Sequence, residues 1–230
     1  MPSKVSCLVA ILTSLSFNSV SIADVSHCYG TTDKGAITGA VSLPSKGDNF
    51  ESYSGVAEML GRTYVHPTVA RIVVDAYAEL ETTLPNKVFK YGETGSEFGG
   101  KFKPHKTHQN GLSVDFFVPV VDEHGASVHL PTHMFNRYGY DIEFDGQGKY
   151  ENLHIDYESL AAHIVALNKH AKKHQVGVWR VIFDPKLQPY LFKTSHANYL
   201  QKHINFVKTK SWVRHDEHFH IDFEIPCKSL

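Results

Sequence analysis

Apolar residues recur at intervals of three and four in two stretches of the 230-residue chain. In the first, Val69, Ile72, Val73, Ala76 and Leu80 share one face, which predicts an amphipathic helix over 68–81. Pro67 suits its first turn and Pro85 closes it. In the second, Leu160, Ala161, Ile164 and Leu167 predict a helix over 156–173, with Asp156 as its N-cap. Two other stretches alternate instead. Leu112, Val114 and Phe116 mark a strand over 112–118, and Phe219, Ile221, Phe223 and Ile225 mark a last strand over 217–225. Residues 87–91 read as a short strand and 178–183 as a buried one. Residues 24–48 are rich in Gly, Ser and Thr and read as irregular, with turns. A glycine-rich loop is expected over 92–104, a further loop over 122–136, and a shorter helix within 186–208. Helices and strands alternate without a regular βαβ rhythm. The expected fold is therefore α+β, with helices packed on a small, mainly antiparallel central sheet in one domain over 24–230.

Composition narrows the classes. Hydrophobic residues are 42% and charged residues 20%, which excludes a disordered chain or a coiled coil. Lys and Arg total 23 against 24 Asp and Glu, so no basic field points to nucleic acid. Residues 1–23 read as a secretory signal peptide: Lys4 precedes an apolar run over 5–17, and Ser21-Ile22-Ala23 places small residues at a cleavage site. The run is too short to span a membrane, and no other segment is long enough. Cys7 would leave with the signal. Cys28 and Cys227 would remain, and in an oxidising compartment such a pair forms a disulfide. Nothing predicts an oligomer, so a monomer is expected.

The unusual count is 16 histidines, which favours metal binding or acid–base chemistry. Three of them fall within six residues, at His215, His218 and His220. Strand alternation puts Phe219, Ile221 and Phe223 in the core and His218 and His220 together on the opposite face, so the site is expected on the exposed face of the sheet. By the same alternation Asp115 points away from the core, as those histidines do. Asn110-Gly111 is a turn signal, which lets His108 fold back toward Asp115. A zinc site that activates water uses three protein ligands and one open position, and His108, Asp115 and His220 are a suitable set. Two nitrogens and one oxygen suit zinc better than calcium or magnesium. No His-Glu-x-x-His helix, Gly-x-Ser-x-Gly elbow or phosphate-binding glycine loop occurs. No Ser-x-x-Lys occurs either, so the nucleophile that penicillin traps is missing.

His105-x-x-His108-Gln109-x-Gly111-Leu112-x-Val114-Asp115, followed by His215-Asp216-x-His218-x-His220, resembles the penicillin-insensitive murein endopeptidases. These belong with the zinc peptidases that include lysostaphin and the D-Ala-D-Ala peptidases. The likeness runs from about Gly39 to Cys227, through Gly39-Ala40-Val41-Ser42-Leu43-Pro44, Tyr64-Val65-His66-Pro67, Gly99-Gly100 and Val181-Ile182-Phe183-Asp184-Pro185. It implies a periplasmic enzyme that cuts peptide crosslinks of peptidoglycan, with His108, Asp115 and His220 as zinc ligands. It also implies that His105 lies beside the metal and that His215 and His218 sit at the reaction centre. Some relatives are described with a second metal near the first histidine, for which His124, Asp122, His154 and Asp156 are the candidates here.

His218 is the first choice for the base that takes a proton from zinc-bound water. Glu217 is the second: alternation should turn it away from His220, but it sits at the strand start, where alternation can fail. His215 would orient the base or stabilise the oxyanion. The remaining eleven histidines, among them His163, His170 and His174, read as surface or capping residues. Two other functions stay open. One is a zinc carboxypeptidase or dipeptidase of the same fold. The other is a non-enzymatic periplasmic metal-binding protein.

Overall fold

The computed structural model describes residues 26–209, 211 and 213–230; the expected signal peptide, with Lys4 and Cys7, lies outside them. The first half comprises β1 (His27–Gly30), β2 (Gly35–Thr38), β3 (Val41–Ser42), β4 (Phe50–Ser52), α1 (Gly55–Met59), β5 (Tyr64–Val65), α2 (Pro67–Thr83) and β6 (Phe89–Tyr91). The second half adds β7 (Ser113–Phe117), β8 (Val120–Val121), β9 (Ser127–Val128), a 3-10 turn (Met134–Gly139), β10 (Lys149–Tyr150) and β11 (Leu153–Ile155). It ends with α3 (Tyr157–Lys173), β12 (Gly177–Ile182), α4 (Gln188–Leu191), α5 (Ala197–His203) and β13 (His218–Glu224).

Both long helices form where the apolar spacing puts them. Pro67 opens α2 and the His66 imidazole accepts from the Thr68 N–H. Asp156 caps α3 by accepting from the Ser159 N–H. The central sheet has the order β12-β13-β7-β6-β4, and only the β4–β6 pair is parallel. Val114, Phe116, Phe219, Ile221 and Phe223 are buried with α2 and α3 in one core. The result is the expected α+β arrangement.

Three stretches differ from the sequence reading. Residues 24–48 are not wholly irregular: β1 and β2 form a hairpin and β3 pairs with β5. The 122–136 loop contains β9 and leads into the 3-10 turn. The 186–208 stretch holds two short helices rather than one. Each of these elements is too short to show a hydrophobic period. Among the described residues, no helix is long and apolar enough to cross a membrane.

One histidine also departs from expectation. His163 is fully buried, not at the surface. Its ring lies 4.9 Å from those of Tyr77 and Phe116, 5.1 Å from Phe89 and 5.4 Å from Phe219, centroid to centroid. Neither ring nitrogen has a hydrogen-bond partner among the described residues. Burial holds its pKa down to about 3. The unfolded chain binds a proton below about pH 6.5 while the folded chain does not, so this contribution to stability is complete above that pH. It is lost as pH falls toward 3, and amounts to about 3 kcal/mol by pH 4.5. His163→Leu should remove that loss, read as the difference between urea unfolding of the two proteins at pH 7.5 and pH 4.5. Equal pH dependence in both would contradict the assignment. His170 is buried as well, against Glu79 at 2.9 Å, whereas His174 caps the end of α3.

Candidate metal centre

The pairing of β13 with β7 sets His220 opposite Asp115, His218 opposite Phe117 and Asp222 opposite Ser113. One sheet face therefore carries Asp115, His218, His220 and Asp222, and the other carries the apolar row against the helices. The site face was expected to be exposed. Instead the loop after β6 and the turn before Tyr140 cover it. His108 and Asp115 are 0% exposed, and His220 is 2% exposed. Phe102 packs on the rings of both His105 and His108.

Ligand atoms of His105, His108 and Asp115 lie within 4.8 Å of one another. His108 adopts a left-handed backbone, φ 68°, just before the Asn110-Gly111 turn. That unusual conformation folds its ring back onto the sheet. Its Nδ1–H donates to the Thr94 carbonyl at 2.9 Å. The tautomer leaves a lone pair on Nε2, which is buried, has no hydrogen-bond partner among the described residues and lies 3.3 Å from Asp115 Oδ1. Two electron pairs facing each other in a buried site call for a cation between them. His220 joins the same oxygen, with Nδ1 2.8 Å from Asp115 Oδ1. Its Nε2 lies 2.8 Å from Asp222 Oδ1, and Asp222 is in turn held by Ser113 and Arg180, both at 2.6 Å. A carboxylate behind a ligating imidazole is the usual support of a metal-binding histidine. The donor set and its supports fit a metal ion.

The electrostatics agree with a charged cluster. Burial alone would raise the Asp115 pKa, but the surrounding imidazoles, His108 first, hold it well below the usual carboxylate range. Burial lowers His108. In His220 the burial effect is overcome by Asp222 and Asp115, which push it up to about 10.

His218 lies on the open side of the cluster, with Nε2 3.8 Å from Asp115 Oδ2. Burial brings its pKa to about 4. Glu217 does not turn away as alternation would require. It precedes the first residue of β13, and its Oε1 lies 2.7 Å from His218 Nδ1. Burial raises the Glu217 carboxyl well above its ordinary range. The His215 ring packs tilted against His218, 4.6 Å away centroid to centroid, and burial lowers its pKa to about 3. Glu217 and His218 border a cleft of about 670 Å³ whose walls also include His105, Glu93 and Tyr140. Val56, Leu60, Met134 and Ile142 give it an apolar rim.

The candidates for a second metal do not gather here. Asp122 closes a turn with the His124 and Ala126 N–H groups, and His154 is exposed. Asp156 caps α3 and pairs with Lys87 at 2.6 Å. Instead Glu93 stands beside His105, with 2.6 Å between His105 Nε2 and Glu93 Oε2. Burial opposes ionisation of Glu93, but His105 and Arg62 bring its pKa down to about 2. Sequence reasoning missed Glu93, Tyr140 and Asp222. Only Asp222 carried a signal, since it shares the alternating face of His218 and His220.

A family model described as penicillin-insensitive murein endopeptidase matches residues 28–230. The chain belongs to that family of metallopeptidases. It is similar to the penicillin-insensitive murein endopeptidase of Salmonella paratyphi C, 25% identical over 213 residues, or 91% of this chain and 70% of the relative. The Escherichia coli enzyme of that name is 25% identical over 205 residues, 87% of this chain and 67% of its own. The one from Pectobacterium atrosepticum is 23% identical over 215 residues, 91% and 68% respectively. The membership accords with a disulfide between Cys28 and Cys227, a bond that persists in oxidising compartments.

Proposed function

We propose that this family member is a periplasmic zinc endopeptidase that hydrolyses peptide crosslinks of peptidoglycan, exported by the signal peptide over 1–23 and acting as one domain over 24–230. The observation that carries the reading is the buried, unbonded Nε2 of His108 facing the oxygen of Asp115 that His220 also meets. His108, Asp115 and His220 would hold the ion, with His105 beside it. Two imidazoles and one carboxylate are a zinc-type donor set. When bound, zinc acidifies water and polarises the scissile carbonyl.

The chain's own groups supply the rest. His218 and Glu217 hold a proton between them at the edge of the cleft, which supports this pair as the carrier from water to the leaving amine. His215 packs on His218 and fixes its ring. Asp222 and Arg180 orient His220 from behind. The cleft, which combines an apolar rim with polar groups beside the cluster, suits an extended peptide.

His218→Ala is expected to keep the metal and to lose about 100- to 10,000-fold in turnover. Metal analysis and release of muropeptides read the two effects separately. Full turnover would move the base to Glu217, and Glu217→Gln should then carry the loss. The function itself is tested by incubating the protein with purified sacculi and reading the digest by mass spectrometry. Loss of crosslinked dimers with gain of monomers is expected. Release of terminal D-Ala alone would instead make the protein a carboxypeptidase.

A further inference from the structure

Tyr140 stands at the junction of the cleft and the cluster, and its bonding can be assigned by bookkeeping. The Glu93 backbone N–H lies 2.9 Å from the Tyr140 phenol oxygen. A backbone N–H can only donate, so the phenol oxygen accepts. The phenol proton is then free for its other neighbour, Asp115 Oδ2, at 3.0 Å. The two oxygens of Asp115 thus differ. Oδ1 faces His220 Nδ1 at 2.8 Å and His108 Nε2 at 3.3 Å. Oδ2 receives the phenol, and its next neighbours, His218 and His105, are 3.8 Å and 3.9 Å away.

The chain is shaped to bring this phenol in. Arg137 and Tyr138 are both left-handed, with φ of 48° and 56°, a costly pair for residues with side chains. They turn the chain so that Tyr140 enters over β7. Opposite, a Cβ on Gly92 would stand 2.6 Å from the phenol oxygen and 3.2 Å from the Asp115 Cβ. Any side chain at position 92 would push the phenol away. Gly92 and Glu93 are themselves fixed to Asp115, through Gly92 N–H to the Asp115 carbonyl and Asp115 N–H to the Glu93 carbonyl.

We propose that Tyr140 is a positioning residue of the metal centre: its O–H occupies Asp115 Oδ2, so that Oδ1 alone is offered to the ion with His108 and His220. This rests on the metal reading above. It adds that the carboxylate binds through one oxygen because the phenol holds the other, which keeps a coordination position open for water.

Cobalt(II) as the probe tests this without relying on turnover. Its affinity is measured by chelator competition and its coordination by the visible absorption band. In Tyr140→Phe the freed Oδ2 is expected to join the ion, so the band weakens as the coordination number rises. Affinity should also change, by about 10- to 100-fold. Circular dichroism of the metal-free variant checks its fold. If that variant does not fold, Gly92→Ala, which displaces the phenol without removing it, is expected to weaken the band in the same way. An unchanged band, with or without a change in affinity, overturns the proposal. A parent protein that binds no cobalt overturns the metal reading and this inference with it. A parent that binds cobalt and a variant with the same band overturn this inference alone.

Discussion

Asp115→Asn is expected to lose metal and hydrolysis together, while keeping the fold. Asp115 is fully buried and contacts His108, His220 and Tyr140. The change keeps the shape of the side chain but removes its charge. A buried imidazole pair can share a cation only if an anion balances it. Loss of a residue that merely supports a ligand costs about 10- to 100-fold in metal affinity, so loss of a ligand should cost more than about 100-fold. Digestion of crosslinked muropeptides should fall to background in step with metal content. His220→Ala should behave alike, since His220 meets the same oxygen. If either variant kept stoichiometric metal, the ligand set would be wrong.

The second large effect concerns the disulfide. Cys28 and Cys227 are 199 residues apart, so the bond closes nearly the whole described chain. A loop of that length contributes about 5 kcal/mol in the chain-entropy account. A domain's net stability is roughly 5–15 kcal/mol, so the bond is a large share of it. Replacing both cysteines with alanine should therefore lower stability by about 2–5 kcal/mol, read by urea unfolding. The site should feel it too. Cys28 and Lys228 pair through their backbones, and the Asn110 amide lies 3.6 Å from Cys227 Sγ. Asn110 belongs to the turn that aims His108, so looser termini should weaken metal binding as well. A loss below about 1 kcal/mol would show that the ends are held by other contacts.

The sheet and the core of the site were legible because alternation is a strong signal. Phe219, Ile221 and Phe223 set the core face of β13, and this alone put His218 and His220 on the other. Asp115 followed from Leu112, Val114 and Phe116 in the same manner. What was not legible depends on loops returning from elsewhere. Glu93 and Tyr140 lie 22 and 25 residues from Asp115 in stretches without periodicity, and only the folded chain brings them beside it. Glu217 stood second for the base because alternation would turn it away; it precedes the strand, where alternation fails, and its carboxylate meets His218. His163 was taken for a surface residue because its type is polar. Its position on the apolar face of α3, three residues after Leu160 and four before Leu167, places it among four aromatic rings instead.

On the proposal above, one water-activating zinc ion, held by His108, Asp115 and His220, does the hydrolysis. Metal analysis of the purified protein, followed by chelation and readdition during digestion of sacculi, decides the question. About one tightly held zinc per chain is expected on the three-ligand argument, with hydrolysis lost on chelation and restored by zinc. A metal-free protein that digests sacculi at full rate would show that no zinc ion is needed.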